Sequence, residues 1–122
     1  MRSHGLSERR VLYGEDDFLN GKLFEILLRK EGVDCDVARD GETAVHLFDS
    51  GRYGAVILDA YLPGMNGAEV ARIVRVSDPG ITLVGLTSDE GAVATLYDAG
   101  FDRVFLKPLR GRECLDYVLS QL

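Results

Sequence analysis

Residues 56–67 read VILDAYLPGMNG, and this stretch decides the fold class. The apolar run at 55–58 has no polar alternation and ends at Asp59. Short runs of this kind are typical of strands that are covered on both faces of a parallel sheet. Asn66 before Gly67 predicts the start of a helix, because Asn is a favourable N-cap residue.

The same alternation of a short apolar run and a helical segment repeats along the chain. Further apolar runs lie at 11–13, 81–86 and 104–106, with a weaker one at 33–38. Between the runs, apolar residues recur at helical spacing and so form an apolar stripe along each predicted helix. Glycine follows most of these stripes, which is a signal of a helix C-cap. Five strands alternating with five helices predict an α/β fold, a doubly wound five-stranded parallel sheet with helices on both faces. The stripes are Leu19, Leu23, Ile26 and Leu27, closed by Gly32; Ala44, Leu47 and Phe48, closed by Gly51; Val70, Ile73 and Val74, before Pro79-Gly80; Val93, Leu96 and Tyr97, closed by Gly100; and Leu115, Val118, Leu119 and Leu122.

The length of 122 residues suits one compact domain. Residues 1–8 are polar and aperiodic, so we interpret them as a flexible leader, and we assign 9–122 to the domain. The net charge of −6 and the scattered basic residues predict no direct binding to nucleic acid by this chain. Cys35 and Cys114 match no metal-ligand spacing and are expected to be buried free thiols in a reducing cytoplasm. No apolar run is long enough to cross a bilayer, so we expect a cytoplasmic protein without a membrane segment.

Polar side chains follow four of the five predicted strands. In open parallel sheets, ligands bind outside the carboxyl ends of the strands, where these side chains lie. The residues are Glu15, Asp16 and Asp17 after the first strand, Asp59 after the third, Thr87 and Ser88 after the fourth, and Lys107 after the fifth.

The charges of this set constrain its chemistry. If Glu15, Asp16 and Asp59 converge on Lys107, three negative charges and one positive charge sum to −2. A divalent cation compensates such a cluster, and Mg²⁺ fits best because it shares its oxygen ligands between carboxylates, waters and phosphate. Zn²⁺ is disfavoured because neither histidine falls near the cluster. A carboxylate beside Mg²⁺ suggests phosphoryl transfer, with the carboxylate as nucleophile and the lysine and hydroxyl neutralising charge on the phosphoryl oxygens.

Four motifs occur in order: VLYGEDD (11–17), VILDAYLPGMNG (56–67), LVGLTSDE (83–90) and FLKPL (105–109). Together they resemble the receiver domains of two-component response regulators, from about Arg10 to the C-terminus. The resemblance implies a flavodoxin-like strand order 2-1-3-4-5. It also implies a phosphorylation-controlled signalling switch that is not an enzyme in the usual sense, because it catalyses only its own phosphoryl transfer and dephosphorylation.

The resemblance assigns a role to each matched residue. These are Asp59 as the phosphoryl acceptor; Glu15, Asp16, Asp59 and the backbone carbonyl of Tyr61 as Mg²⁺ ligands; Thr87 as the switch hydroxyl; and Lys107 as the lysine that pairs with the phosphoryl group. The bond from Lys107 to Pro108 is expected to be cis. Asp17 is expected to cap the first helix, in preference to binding the metal.

The resemblance also implies partners. A histidine kinase or a histidine phosphotransfer protein donates the phosphoryl group, and the acyl phosphate later hydrolyses. A downstream effector reads the face of the fourth helix, fifth strand and fifth helix, which the loops bearing Thr87 and Lys107 control. A stand-alone regulator and a receiver cut from a longer protein both remain open.

Two features depart from the family pattern. Val104 stands where the family usually has an aromatic residue, and Phe105 should point to the opposite face because strand side chains alternate. We therefore predict weakened aromatic coupling to the switch hydroxyl. Tyr61 and Asp89, each two residues beyond a site residue, are expected to flank the path of water, and we hypothesise that Tyr61 shields the acyl phosphate.

Three alternatives compete with the phosphorylated receiver. A pseudo-receiver would keep the fold as a protein-interaction module without phosphorylation. A Mg²⁺-dependent phosphatase would commonly carry a second acid two residues after its nucleophile, where this chain has Tyr61. A flavin-binding domain would need a phosphate-cradling loop after the first strand, where Glu15 to Asp17 would repel the phosphate.

Overall fold

The computed structural model describes residues 9–50 and 52–122. The expected leader at 1–8 and the helix-closing Gly51 lie outside the described residues. The strands are β1 Arg10–Gly14, β2 Asp34–Ala38, β3 Ala55–Asp59, β4 Thr82–Thr87 and β5 Arg103–Leu106. The helices are α1 Phe18–Lys30, α2 Gly41–Ser50, α3 Gly67–Ser77, α4 Val93–Asp98 and α5 Glu113–Ser120, with a short 3-10 turn, Glu90–Ala92, before α4.

All strands pair in parallel, in the order β2-β1-β3-β4-β5. This confirms the predicted doubly wound α/β architecture and its strand order. In the register, Gly14 pairs with Leu58, and Asp59 pairs with Leu86. The ends of β1, β3 and β4 are therefore level, so the residues that follow them meet at one edge of the sheet.

Alternate residues of the central strands supply two apolar clusters, one on each face of the sheet. Leu12, Val56 and Leu83 belong to the cluster that packs against α2 and α3. Tyr13 and Ile57 belong to the cluster that packs against α1 and α5. All five residues of β3 are buried, as its uninterrupted apolar run predicts.

The apolar stripe predicted for α1 is wrong in phase. Leu19, Leu23, Ile26 and Leu27 are exposed, by 42 to 64%. The buried residues of this helix are Gly21, Phe24 and Leu28. Apolar residues on α1 occupy two adjoining faces, so periodicity fits either one. The choice is made by tertiary contact, because Phe24 packs its ring edge-on against Tyr13 at a centroid distance of 5.2 Å. In the same way, Ile73 on α3 and Tyr97 on α4 lie at the surface.

Local capping agrees with the sequence. Asp17 caps α1 by accepting from the N–H groups of Leu19 and Asn20. Asn66 and Glu69 form a capping box at the start of α3, which satisfies two backbone donors reciprocally. Within the described parts of the chain, no helix is long and apolar enough to cross a membrane.

Candidate functional site

The carboxyl end of β3 presents Asp59 at one edge of the sheet. Its side chain is buried, with 6% of the residue exposed. Oδ1 accepts a hydrogen bond from the backbone N–H of Tyr61 at 2.9 Å, and Oδ2 accepts one from Nζ of Lys107 at 2.6 Å. Both oxygens of the predicted acceptor are therefore held by donors of this chain.

Lys107 joins Asp59 to Glu15. Its ammonium also donates to Oε1 of Glu15 at 2.9 Å. Burial disfavours the charged form of Lys107, but the hydrogen bonds and charges of Asp59 and Glu15 outweigh burial and raise its pKa. The lysine therefore stays charged and serves as the counter-ion of both carboxylates.

The backbone holds Lys107 in place. Its N–H donates to the carbonyl of Thr87 at 2.8 Å, which extends the ladder between β4 and β5 by one residue. The peptide bond from Lys107 to Pro108 is cis, as the sequence predicted.

Glu15 is the most deeply buried acid of the site, with 1% of the residue exposed. Besides Lys107, the hydroxyl of Tyr13 donates to its Oε1 at 3.2 Å, and the N–H of Asp17 donates to its Oε2 at 3.3 Å. Burial, followed by the adjacent Glu15, raises the pKa of Tyr13 far above its ordinary value, so its hydroxyl stays protonated as a donor.

Sequence reasoning missed Tyr13 as a functional neighbour. In the sequence, Tyr13 belongs to the apolar run 11–13, which predicts only a buried strand residue. A signal was nevertheless present, because residues two apart on a strand share a face, and a buried tyrosine hydroxyl needs a partner. Tyr13 and Glu15 satisfy both conditions.

The predicted Mg²⁺ ligands differ in their burial and in their contacts. Glu15 and Asp59 both contact Lys107, whereas Asp16 is exposed at the start of the following loop. Among the described residues, no group of three or more His, Cys, Asp or Glu side chains lies close enough together to hold a metal ion without further ligands. An all-oxygen set of a few carboxylates and one backbone carbonyl still suits Mg²⁺, which keeps several waters and shares its remaining positions with phosphate. The residues therefore fit this cation.

Thr87 ends β4 with a fully buried side chain. Its Oγ1 accepts the backbone N–H of Asp89 at 3.0 Å, so the hydroxyl is engaged with the loop between β4 and α4. Buried polar groups are normally hydrogen-bonded, and this contact satisfies the Thr87 oxygen. A turn of Thr87 toward Asp59 would require that contact to break.

Tyr61 and Asp89 meet above the site. The Tyr61 hydroxyl donates to Oδ2 of Asp89 at 2.9 Å, although 57% of Tyr61 is exposed. Asp89 also accepts from the N–H of Gly91 and so caps the 3-10 turn. The two residues expected to flank the path of water thus form a bridge between the loops after β3 and β4. Sequence reasoning did not foresee their direct contact.

Val104 and Phe105 lie on opposite faces of the sheet, as predicted. Val104 packs on the cluster beneath α4, and Phe105 belongs to the cluster beneath α5. On the α4 side, the N–H of Val104 donates to the hydroxyl of Tyr97 at 3.2 Å. Phe105 instead faces Tyr117, with a centroid distance of 6.0 Å. Phe105 therefore does not replace an aromatic side chain at position 104.

Gly67 allows α3 to begin directly against the acceptor strand. A Cβ atom at this position would lie 2.3 Å from the carbonyl oxygen of Asp59 and 3.1 Å from the Cα atom of Ala60. Both neighbours are backbone, so they cannot move aside cheaply. The absence of a side chain at Gly67 thus lets the helix support the backbone of Asp59.

Comparison with known proteins identifies relatives of the whole domain. The family model described as "Response regulator receiver domain" matches residues 11–119. The DNA-binding response regulator MtrA of Mycobacterium tuberculosis is 34% identical over 116 residues, which cover 93% of this chain and 50% of MtrA. This chain thus spans about half the length of the curated relatives it matches.

Two of the solved structures that share this fold contain magnesium. The response regulator TrrA of Thermotoga maritima, in complex with Mg²⁺ and BeF, is 31% identical with a TM-score of 0.87, covering 93% of this chain and 99% of TrrA. The receiver domain of the sensor histidine kinase PA1611 of Pseudomonas aeruginosa has a magnesium ion coordinated in its active site cleft. It is 25% identical with a TM-score of 0.85, covering 93% of this chain and 96% of that domain.

Proposed function

This chain belongs to the response regulator receiver domain family, whose members are phosphorylation-controlled switches, and on that premise we propose that Asp59 is its phosphoryl acceptor. One observation carries the proposal. Asp59 ends the central strand, is buried, and shares the ammonium of Lys107 with Glu15. A carboxylate held in this way is oriented for attack, and a phosphoryl group joined to it comes within reach of the same cation.

We propose that Glu15, Asp16, Asp59 and the backbone carbonyl of Tyr61 hold Mg²⁺, with Glu15 and Asp16 as the acidic pair. The cation would neutralise charge on the phosphoryl oxygens. The oxygen-only donor set supports this assignment, and so do the magnesium ions in the TrrA and PA1611 structures. In this chain, Lys107 supplies further positive charge next to Asp59.

The transfer step follows from the position of Asp59. A carboxylate oxygen attacks the phosphorus atom of a phosphohistidine, and a new O–P bond forms as the P–N bond breaks. The electron pair of the broken bond stays on the imidazole nitrogen. Water later attacks the acyl phosphate and returns the Asp59 carboxylate and inorganic phosphate. A histidine kinase or a histidine phosphotransfer protein is the proposed donor.

The switch step is proposed to begin at Thr87. Its hydroxyl leaves the N–H of Asp89 and turns to a phosphoryl oxygen, which pulls the loop after β4 inward. At the same time, the attraction between Lys107 and the phosphoryl group pulls the loop after β5 inward. The face of α4, β5 and α5 is the proposed effector surface. Because Val104 offers no aromatic ring, coupling to this face is expected to be weaker.

The chain is proposed to act as a switch without a separate substrate, catalysing only its own phosphoryl transfer and dephosphorylation. A cytoplasmic location belongs to the proposal, supported by the free thiols of Cys35 and Cys114, which suit a reducing compartment. The expectation that this chain does not bind nucleic acid directly remains a prediction, since MtrA is named a DNA-binding response regulator and this chain spans half of it.

Intact-mass measurement after incubation with acetyl phosphate and MgCl₂ tests the proposal. The parent should gain the mass of one phosphoryl group, and Asp59→Asn should gain none. Asp36→Asn is the matched control, because Asp36 is a partly buried strand aspartate paired with Arg10 and Tyr53 away from the site. It should be phosphorylated like the parent. No gain in the parent, with this donor or with a phosphohistidine protein, would favour the pseudo-receiver.

A further inference from the structure

Tyr13 places a hydroxyl group against Glu15, the buried member of the acidic pair. It is among the largest fully buried side chains and lies on β1 with its ring edge-on to Phe24. The hydroxyl donates to Oε1 of Glu15 at 3.2 Å, and only 2% of Tyr13 is exposed. The direction of this hydrogen bond is therefore set by core packing, not by solvent.

Glu15 is held by donors from three places in the chain. Tyr13 and Lys107 both donate to Oε1, at 3.2 and 2.9 Å, and the N–H of Asp17 donates to Oε2 at 3.3 Å. Lys107 has a second carboxylate partner in Asp59, so it cannot by itself define the orientation of Glu15. Tyr13 has no such competing role, and it approaches from within the core.

We propose that Tyr13 is a positioning residue, whose hydroxyl holds Glu15 in the orientation that both Lys107 and a bound Mg²⁺ require. The inference rests on the proposed function, in which the acidic pair belongs to the Mg²⁺ site. Groups that orient the ligands of a metal typically change its affinity by about 10- to 100-fold. We expect an effect of about tenfold, at the lower end, because the hydrogen bond is long and Glu15 retains two other donors.

The competing explanation is that the Tyr13 hydroxyl has a purely structural role. A control substitution at Tyr53 distinguishes this explanation from the positioning role. The Tyr53 hydroxyl also donates to a carboxylate, Oδ2 of Asp36, at 2.8 Å, and Tyr53 is buried. It precedes β3, at the opposite, amino-terminal edge of the sheet. Tyr13→Phe and Tyr53→Phe therefore make the same chemical change, but only the first touches the proposed metal site.

The experiment is a ¹H–¹⁵N NMR titration with MgCl₂ in the absence of any phosphodonor, which yields the Mg²⁺ dissociation constant. The variants are Tyr13→Phe, Tyr53→Phe, Glu15→Gln and the double variant of Tyr13 and Glu15. Tyr13→Phe should weaken Mg²⁺ binding about tenfold, whereas Tyr53→Phe should leave it unchanged. In the Glu15→Gln background, Tyr13→Phe should have little further effect, because the two residues act through one hydrogen bond. Thermal unfolding of the metal-free proteins provides the structural readout, and both Phe variants should lose stability to a similar extent.

The outcomes are distinct. Unchanged or tighter Mg²⁺ binding in Tyr13→Phe, with normal binding in the parent, overturns the inference alone. Equal weakening in both Phe variants also overturns it, because the effect is then one of general stability. Absence of saturable Mg²⁺ binding in the parent contradicts the proposed metal site, and this inference falls with it.

Discussion

Replacing Lys107 tests the electrostatic design of the site. Lys107→Met keeps most of the apolar stem and removes the ammonium group. Glu15 and Asp59, which are 1% and 6% exposed, then remain buried without their shared cation. Because an unpaired buried charge is costly, we expect the metal-free variant to be clearly less stable than the parent near neutral pH.

The magnitude follows from the geometry. At an effective dielectric of about 20, each of the contacts at 2.6 and 2.9 Å contributes roughly 6 kcal/mol of attraction before desolvation is subtracted. Removal of one partner from a buried ion pair costs about 3–5 kcal/mol net. The Lys107 side chain is 20% exposed, so we expect the lower end, about 3 kcal/mol. The free energy of unfolding of a native domain is only about 5–15 kcal/mol, so this loss is a large fraction of it.

Urea unfolding followed by circular dichroism measures the loss. With a slope of about 1–3 kcal/mol per molar urea, the midpoint should fall by roughly 1–3 M. In the parent, the raised pKa of Lys107 sets the high-pH limit of this stabilisation. The stabilisation from Lys107 is full below its ordinary value of 10.5 and is lost only as pH rises through the folded-state pKa.

Lys22→Met is the matched control. Lys22 pairs with Glu25 on the surface of α1, with Nζ and Oε1 3.6 Å apart and the lysine side chain 56% exposed. Exposed pairs contribute about 0–1 kcal/mol, so this variant should unfold close to the parent. A loss in Lys107→Met no greater than in Lys22→Met would refute the electrostatic reasoning.

Three further predictions follow from the same structure. Gly67→Ala should lower both thermal stability and phosphorylation by acetyl phosphate, because its Cβ meets the backbone of Asp59; phosphorylation at the parent's rate would contradict this. Tyr61→Ala should hydrolyse its acyl phosphate faster than the parent in a phosphate-release assay, since the ring and its bond to the loop after β4 are lost, and an unchanged rate would end the shielding hypothesis. Burial raises the thiol pKa values of Cys35 and Cys114 to about 12, so neither should react with a thiol reagent at about pH 8 until urea unfolds the chain; rapid labelling of the folded protein would disprove this.

Much of the fold was predictable because its signals are local. A helix cap depends on a side chain two or three residues from the backbone donor it satisfies, so Asp17 and Asn66 could be assigned from sequence. An uninterrupted apolar run requires cover on both faces, which led to β3 and to the site at its carboxyl end. The opposite directions of Val104 and Phe105 followed from strand alternation alone.

The phase of α1 was not predictable for the opposite reason. Both of its apolar faces satisfy the periodicity, and only the position of Tyr13 on β1 selects the face that contains Phe24. The bridge from Tyr61 to Asp89 joins residues 28 positions apart, through side-chain lengths and loop paths that periodicity does not encode. The chemical roles of Asp16, Asp59, Thr87 and Lys107 remain predictions from the family pattern.

The sequence by itself determined the strand and helix order, the helix caps and which carboxylates, hydroxyl and lysine stand at the ends of strands, because each depends on residue types within a few positions. Only the tertiary structure decided which partner each of these side chains contacts. It set Lys107 between Glu15 and Asp59, left Asp16 exposed, turned Thr87 toward its own loop and brought the Tyr13 hydroxyl to Glu15. The two Lys107 contacts join the end of β5 to the ends of β1 and β3, so they exist only once the parallel sheet aligns the ends of its strands. Tyr13 and Thr87 each contact a residue two positions away, but both side chains are buried, so the packing around them sets which contact they make.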